Sequence, residues 1–134
     1  IKRMVALGGE RVTIGDDRHL RINDQRLDAT TPRFENVYHL VGPPRDSEFS
    51  GHVNETVAHQ NQKGGLAPLF STGQSPFTIR PKHYIVMGDN TMNSLDSRAW
   101  GDFAQESVIG KSAFVYWPFL SQGARPGRFG WSNR

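Results

Sequence analysis

The sequence predicts an all-β fold, mainly antiparallel strands with long loops and at most one or two short helices. Three observations carry that reading. Short apolar runs alternate with turn signals from residue 3 to residue 27. Five prolines (43, 44, 68, 76, 81) and five glycines (42, 51, 64, 65, 73) interrupt residues 42–82, so ten of those 41 positions resist regular structure. A compact apolar run, His83-Tyr84-Ile85-Val86-Met87, stops at Gly88.

Taken in order, Met4-Val5-Ala6-Leu7 reads as a strand, Gly8-Gly9 as a turn and Arg11-Val12-Thr13-Ile14 as a returning strand. Gly15-Asp16-Asp17 turns again, and His19-Leu20-Arg21-Ile22 alternates polar with apolar. Asn23-Asp24 is a further turn, after which Gln25-Arg26-Leu27 returns. Glu35 to Val41 alternates with ambiguous facing and is expected to be a strand. Residues 28–82 read as a loop-rich insertion in which His52 to Gln62 can hold one short helix, because Val53 and Val57 lie one turn apart. Residues 83–117 are expected to belong to the core of the site, with a last strand over about Val108 to Trp117. No internal repeat is evident, and 134 residues fit one domain.

Composition narrows the function classes. A formal charge of +3 falls well short of the dense positive charge of a nucleic-acid binder, so no nucleic-acid partner is expected. Cysteine is absent, which removes disulfides, thiolate zinc sites and cysteine nucleophiles without choosing a redox compartment. The five histidines (19, 39, 52, 59, 83) lack the spacing of a metal set, and no cofactor is implied. Gly8-Gly9 and Gly64-Gly65 lack the strand-to-helix context of a phosphate loop. The longest apolar run, Ala113 to Leu120, is far shorter than a bilayer span. Ile1 to Leu7 opens as a strand already under way, so the sequence is expected to be part of a longer chain.

The segment Gly88-Asp89-Asn90-Thr91-Met92-Asn93-Ser94-Leu95-Asp96-Ser97-Arg98-Ala99-Trp100-Gly101 is dense in short polar side chains. Such residues bond nearby backbone and stiffen a loop, so composition alone is compatible with a capped structural turn. Their order, Gly-Asp-Asn, Ser, Asp-Ser-Arg, Trp-Gly, resembles the C-terminal box of type I signal peptidases, membrane-bound serine proteases with a Ser/Lys dyad. Ile1-Lys2-Arg3-Met4-Val5-Ala6-Leu7-Gly8-Gly9-Glu10 resembles the lysine box of the same family. Asp17 to Leu27 looks like the family's hairpin, and Val108-Ile109-Gly110-Lys111-Ser112-Ala113 is similar to the strand that follows. The resemblance covers nearly the whole chain outside residues 42–82.

The resemblance implies roles residue by residue. Lys2 matches the general base, a role open to a lysine near neutral pH only where desolvation disfavours its ammonium form. Ser94 matches the serine that orients that amine. Arg3 with Asp89 and Asp96 with Arg98 resemble two supporting ion pairs, and Ile1 matches a position on the strand that receives extended substrate. Gly8 and Glu10 depart from the family's Pro and Asp in one turn, where a local change is expected. The nucleophile box, Ser-x-Ser-Met-x-Pro, does not occur here. In the family it lies upstream with the membrane anchors, so these residues on their own are expected to be inactive.

The implied protein removes signal peptides from secretory precursors on the outer face of the bacterial cytoplasmic membrane. Residues 107–134 carry no acid, four basic residues and six of the 14 aromatics, a balance suited to a membrane lipid surface. Trp117 and Phe119 fit that role or a place in the core equally, and Trp131 is the cleaner interfacial candidate. Strand 1–7 is expected to present an open edge able to pair with a second copy. Two rival readings are a self-cleaving repressor-type Ser/Lys peptidase and a noncatalytic membrane-surface β-domain. The hairpin, the long 28–82 stretch and Asp96-Ser97-Arg98 weigh against the first.

Overall fold

The computed structural model describes residues 2–39, 41–42 and 46–110, together with the backbone of 114–115 and 130–131. Strand β1 (Arg3–Leu7) leads through a glycine turn into β2 (Arg11–Ile14). Glu10 closes that turn by accepting a hydrogen bond from the Leu7 N–H at 2.7 Å. At Gly8 a Cβ would stand 2.8 Å from the Arg80 carbonyl oxygen and the Lys82 nitrogen. The crossing chain is backbone and cannot swing aside, which is the physical reason for glycine at this position.

Strands β3 (Leu20–Ile22) and β4 (Gln25–Arg26) form the predicted hairpin. Its turn residues, Asn23 and Asp24, have φ of 50° and 68°, a left-handed pair that suits Asn and Asp and matches strand twist. Asp17 accepts from both Arg21 and Arg26 at 3.0 Å. Burial would push its carboxyl up, but the two guanidinium groups hold it below the usual carboxylate range.

Glu35–Tyr38 is helix α1, which corrects the strand expected over Glu35 to Val41. In so short a window, alternation and a one-turn spacing describe the same apolar residues. Packing decides for the helix: Val37 and Tyr38 are adjacent yet both buried. Phe34 and Tyr38, four apart, stack with ring centroids 6.0 Å apart. The Tyr38 hydroxyl accepts from the Leu20 N–H at 3.1 Å, tying α1 to β3. Helix α2 (Glu55–Gln60) falls inside the predicted window. Asn54 caps it by accepting from the Val57 N–H at 2.9 Å.

The remaining elements are β5 (Phe77–Thr78), β6 (His83–Met87), α3 (Ser97–Trp100) and β7 (Phe103–Ala104). A 3-10 turn (Gln105–Ser107) follows, then β8 (Phe114–Val115) and β9 (Gly130–Trp131). All sheet pairings among the described residues are antiparallel. One sheet runs β1-β6-β7, a second β4-β3-β2-β5, and β8 pairs with β9. The last strand expected over about Val108 to Trp117 is corrected at its start, while β8 falls inside that window and residues 111–113 and 116–117 lie outside the described residues. The Gln105 N–H bonds the Lys82 carbonyl at 2.9 Å and the Val108 N–H folds back to Gln105 at 3.0 Å, which turns the chain out of the sheet. Val108 to Gly110 are irregular, and the third strand beside β6 is β7 instead.

The main core lies between the sheets and α1 and includes Val12, Ile14, Leu20, Phe70, Ile85 and Met87. A second cluster packs Val53, Val57 and Ala58 against Met92. Met92 is thereby an apolar anchor inside a polar loop, and burying such a side chain contributes roughly 1.5–3 kcal/mol. That anchor helps to place the loop from Gly88 to Asp96.

Candidate active site

The β1–β6 pairing aligns Arg3 with Met87, so Lys2 and Gly88 meet one step beyond the ladder. The loop that follows Gly88 then brings Ser94 back, and the Lys2 amine donates to the Ser94 hydroxyl at 2.5 Å across 92 positions of sequence. Lys2 is exposed, whereas Ser94 is only 4% exposed. Gly88 makes this contact possible. A Cβ there would stand 2.2 Å from Ser94 Oγ and 3.4 Å from Lys2 Nζ. Its φ is not left-handed, so the need is for space and not for an unusual backbone.

Asp96, two positions beyond Ser94, accepts from the Gly88 N–H at 2.9 Å and the Arg98 N–H at 3.1 Å. Arg98 completes a two-pronged pair through Nε and Nη2, both at 2.9 Å. Both side chains are 0% exposed. Burial would push the Asp96 carboxyl up, but hydrogen bonds and the charge of Arg98 hold it below the ordinary range. Arg98 spends its other donors on Thr91 Oγ1 at 2.8 Å, on the Val53 carbonyl at 3.2 Å and on the Ser94 carbonyl at 3.3 Å. The buried cation therefore ties both sides of the loop together.

The second pair lies beside the lysine. Arg3 donates through Nε and Nη2 to the two oxygens of Asp89 at 2.9 and 2.8 Å. Its remaining nitrogen donates to the Arg33 carbonyl, and the guanidinium lies 5.5 Å from the centre of the Phe34 ring. Asp89 and Asp96 thus flank the start and end of one loop, each with its own arginine.

Of the residues singled out from sequence, Lys2, Arg3, Asp89, Ser94, Asp96 and Arg98 converge in one place. Ile1 lies outside the described residues, as do Trp117 and Phe119, and only the backbone of Trp131 is described. The sequence reading missed Gly88 as a spacer and Thr91 and Val53 as partners of Arg98. Position within the box is the signal for Gly88. A backbone carbonyl such as that of Val53 leaves no signal in side-chain identity. Among the described residues no group of three acidic or histidine side chains is disposed to hold a metal ion. No described helix is long and apolar enough to cross a membrane.

An amine in contact with a hydroxyl, with an arginine–aspartate pair near each, is an arrangement able to hold and move a proton at Lys2 Nζ. The family model described as "Signal peptidase, peptidase S26" matches residues 1–117. Signal peptidase IB of Staphylococcus aureus is 27% identical over 119 residues, covering 89% of this chain and 53% of that protein. Signal peptidase I U of Bacillus subtilis is 28% identical over 120 residues, 89% of this chain and 50% of its own length. The chain spans about half the length of these curated relatives. A solved signal peptidase I from Enterococcus faecalis is 29% identical with a TM-score of 0.47, over 81% of this chain and 78% of that one. The chain belongs to the signal peptidase family, peptidase S26.

Proposed function

We propose that these 134 residues supply the lysine half of a Ser/Lys dyad in a signal peptidase I, with Lys2 as general base and Ser94 as the group that aims its amine. The observation that most supports this is the 2.5 Å contact between Lys2 and Ser94 in a chain of this family. Ser94 is 4% exposed and already engaged by Lys2, which argues against it as the nucleophile. The nucleophilic serine is then supplied from outside these residues. In the reaction the Lys2 amine, which has to be unprotonated to act, takes the serine proton as the serine oxygen bonds the scissile carbonyl carbon. The same proton passes to the departing amine; water then attacks the acyl carbon as the lysine takes its proton, and that proton goes to the serine oxygen as the acyl group leaves.

The substrates in this reading are secretory precursors, cleaved after small residues at the outer face of the cytoplasmic membrane. An extended peptide is received along β1, at the position of Ile1. Among the described residues β1 pairs with β6 alone, which leaves its other edge for such a peptide or for a second copy of the chain.

The test uses the enzyme that carries this chain with its serine nucleophile. Lys2→Ala should lower precursor cleavage by about 10²–10⁴-fold, the usual contribution of a general base, with unchanged melting temperature. Ser94→Ala should cost less, because aim is lost and the base is kept. A folded Lys2→Ala variant that cleaves at the original rate rejects the assignment. The 134 residues alone should be inactive, and cleavage by them that depends on Lys2 rejects the external nucleophile.

A further inference from the structure

Two charged residues of the Pro- and Gly-rich stretch reach the loop that carries Ser94. Glu48 Oε2 accepts from the Asn93 side-chain nitrogen at 2.5 Å and from that of Asn90 at 3.2 Å. From the other side, the Lys63 amine donates to the Asn93 side-chain oxygen at 3.1 Å. The Glu48 carbonyl also takes the Met92 N–H at 3.3 Å. A primary amide has one donor end and one acceptor end, so an anion and a cation on opposite ends permit a single orientation. Asn93 directly precedes Ser94, and Met92 before it is packed against α2. The turn before Ser94 is therefore gripped by an apolar anchor and a charged clamp, both supplied by residues 48–63.

We propose that Glu48 and Lys63 are positioning residues: acting through Asn93, they hold Ser94 where it meets the Lys2 amine. The proposal rests on the reading of Lys2 as base and Ser94 as its aiming group. Glu48, Lys63 and Asn93 are exposed, so water competes for each bond and little global stability depends on them. What the clamp controls is the geometry of one turn, and its loss is read in turnover more than in melting temperature. The loop-rich stretch thereby has a task at the site, although its own sequence carries no motif.

A charge swap tests this in the active enzyme. Glu48→Lys alone, or Lys63→Glu alone, sets one charge against the wrong end of the amide, and kcat should fall about tenfold at unchanged KM. The double swap lets the Asn93 amide and the Asn90 amide it bonds at 3.2 Å rotate together by half a turn and regain their partners, so kcat should return to within about threefold of the parent. With Asn93→Ala in place, neither swap should alter kcat further. The labelling rate of the Lys2 amine by an acylating reagent, read by mass spectrometry, should rise in each single swap toward the Ser94→Ala value. If a single swap does not fold, Glu48→Gln, which keeps an acceptor, is compared with Glu48→Ala by the same two measurements. Here the glutamine variant should stay near the parent and the alanine variant should lose turnover. Single changes without effect, or a double swap no better than the singles, overturn the clamp. If Ser94→Ala leaves both kcat and Lys2 labelling unaltered, it is the underlying Lys2–Ser94 reading that fails.

Discussion

The two arginine–aspartate pairs of the site differ in kind. Asp96 and Arg98 are both 0% exposed, whereas Arg3 and Asp89 are 26% and 37% exposed. Each guanidinium meets its carboxylate through two hydrogen bonds, so geometry alone does not separate them. Surroundings do. Water can replace a lost partner at the outer pair but not at the inner one. The inner pair is an obligatory part of the fold, and the outer pair adjusts a strand end.

Arg98→Ala should give the largest effect. It leaves the Asp96 carboxylate buried without its partner and removes the donors to Thr91 and to the Val53 and Ser94 carbonyls. The expected loss of about 3–5 kcal/mol is measurable by urea unfolding. A loss below about 1 kcal/mol, the scale of an exposed pair, erases the contrast between the two pairs.

A second measurement sharpens the inner side with pH. His52 is fully buried, and its Nδ1 bonds the Tyr38 hydroxyl at 3.2 Å while Nε2 has no hydrogen-bond partner among the described residues. Burial, reinforced by the Arg98 charge, lowers its pKa to about 3, with Asp89 and Asp96 opposing and Arg3 adding slightly. The folded state therefore keeps His52 neutral while the unfolded chain takes up a proton below about 6.5. Stability is full above about pH 6.5 and falls as the pH drops toward 3. Between pH 7 and 5, mostly above the range in which carboxylates titrate, the loss should be about 2 kcal/mol. His52→Gln should flatten that slope, and an equal slope in the variant removes His52 as its source.

The smallest effect belongs to the outer pair. Arg3→Gln should cost roughly 0.2–1 kcal/mol, and added salt should shrink the difference from the parent. A cost as large as that of Arg98→Ala, or one indifferent to salt, makes the two pairs equivalent.

The order of residues in two short boxes was enough to bring together Lys2, Ser94 and both ion pairs from opposite ends of the sequence. The hairpin at Asn23-Asp24 was legible because its turn chemistry is local. Helix α1 was not, since Val37 and Tyr38 are set by what they touch and not by a period long enough to read. The partners of Arg98 were hidden for another reason. Thr91 and the Val53 carbonyl serve it from an unremarkable position and from the backbone, and neither type of contact marks the sequence. Glu48 and Lys63 lie in a stretch whose composition announces loops, and their meeting at Asn93 depends on how those loops fold.

The Lys2–Ser94 contact also has a consequence in time. Its two halves are made 92 residues apart, and β1 must wait for β6 before they meet. During synthesis Lys2 is made 92 residues ahead of Ser94 and lacks this contact until Ser94 follows. The pair forms only when the closing strand and its loop arrive. Melting the sheet dissolves it in the same event, so a partly made or unfolded chain carries no assembled Lys2–Ser94 pair.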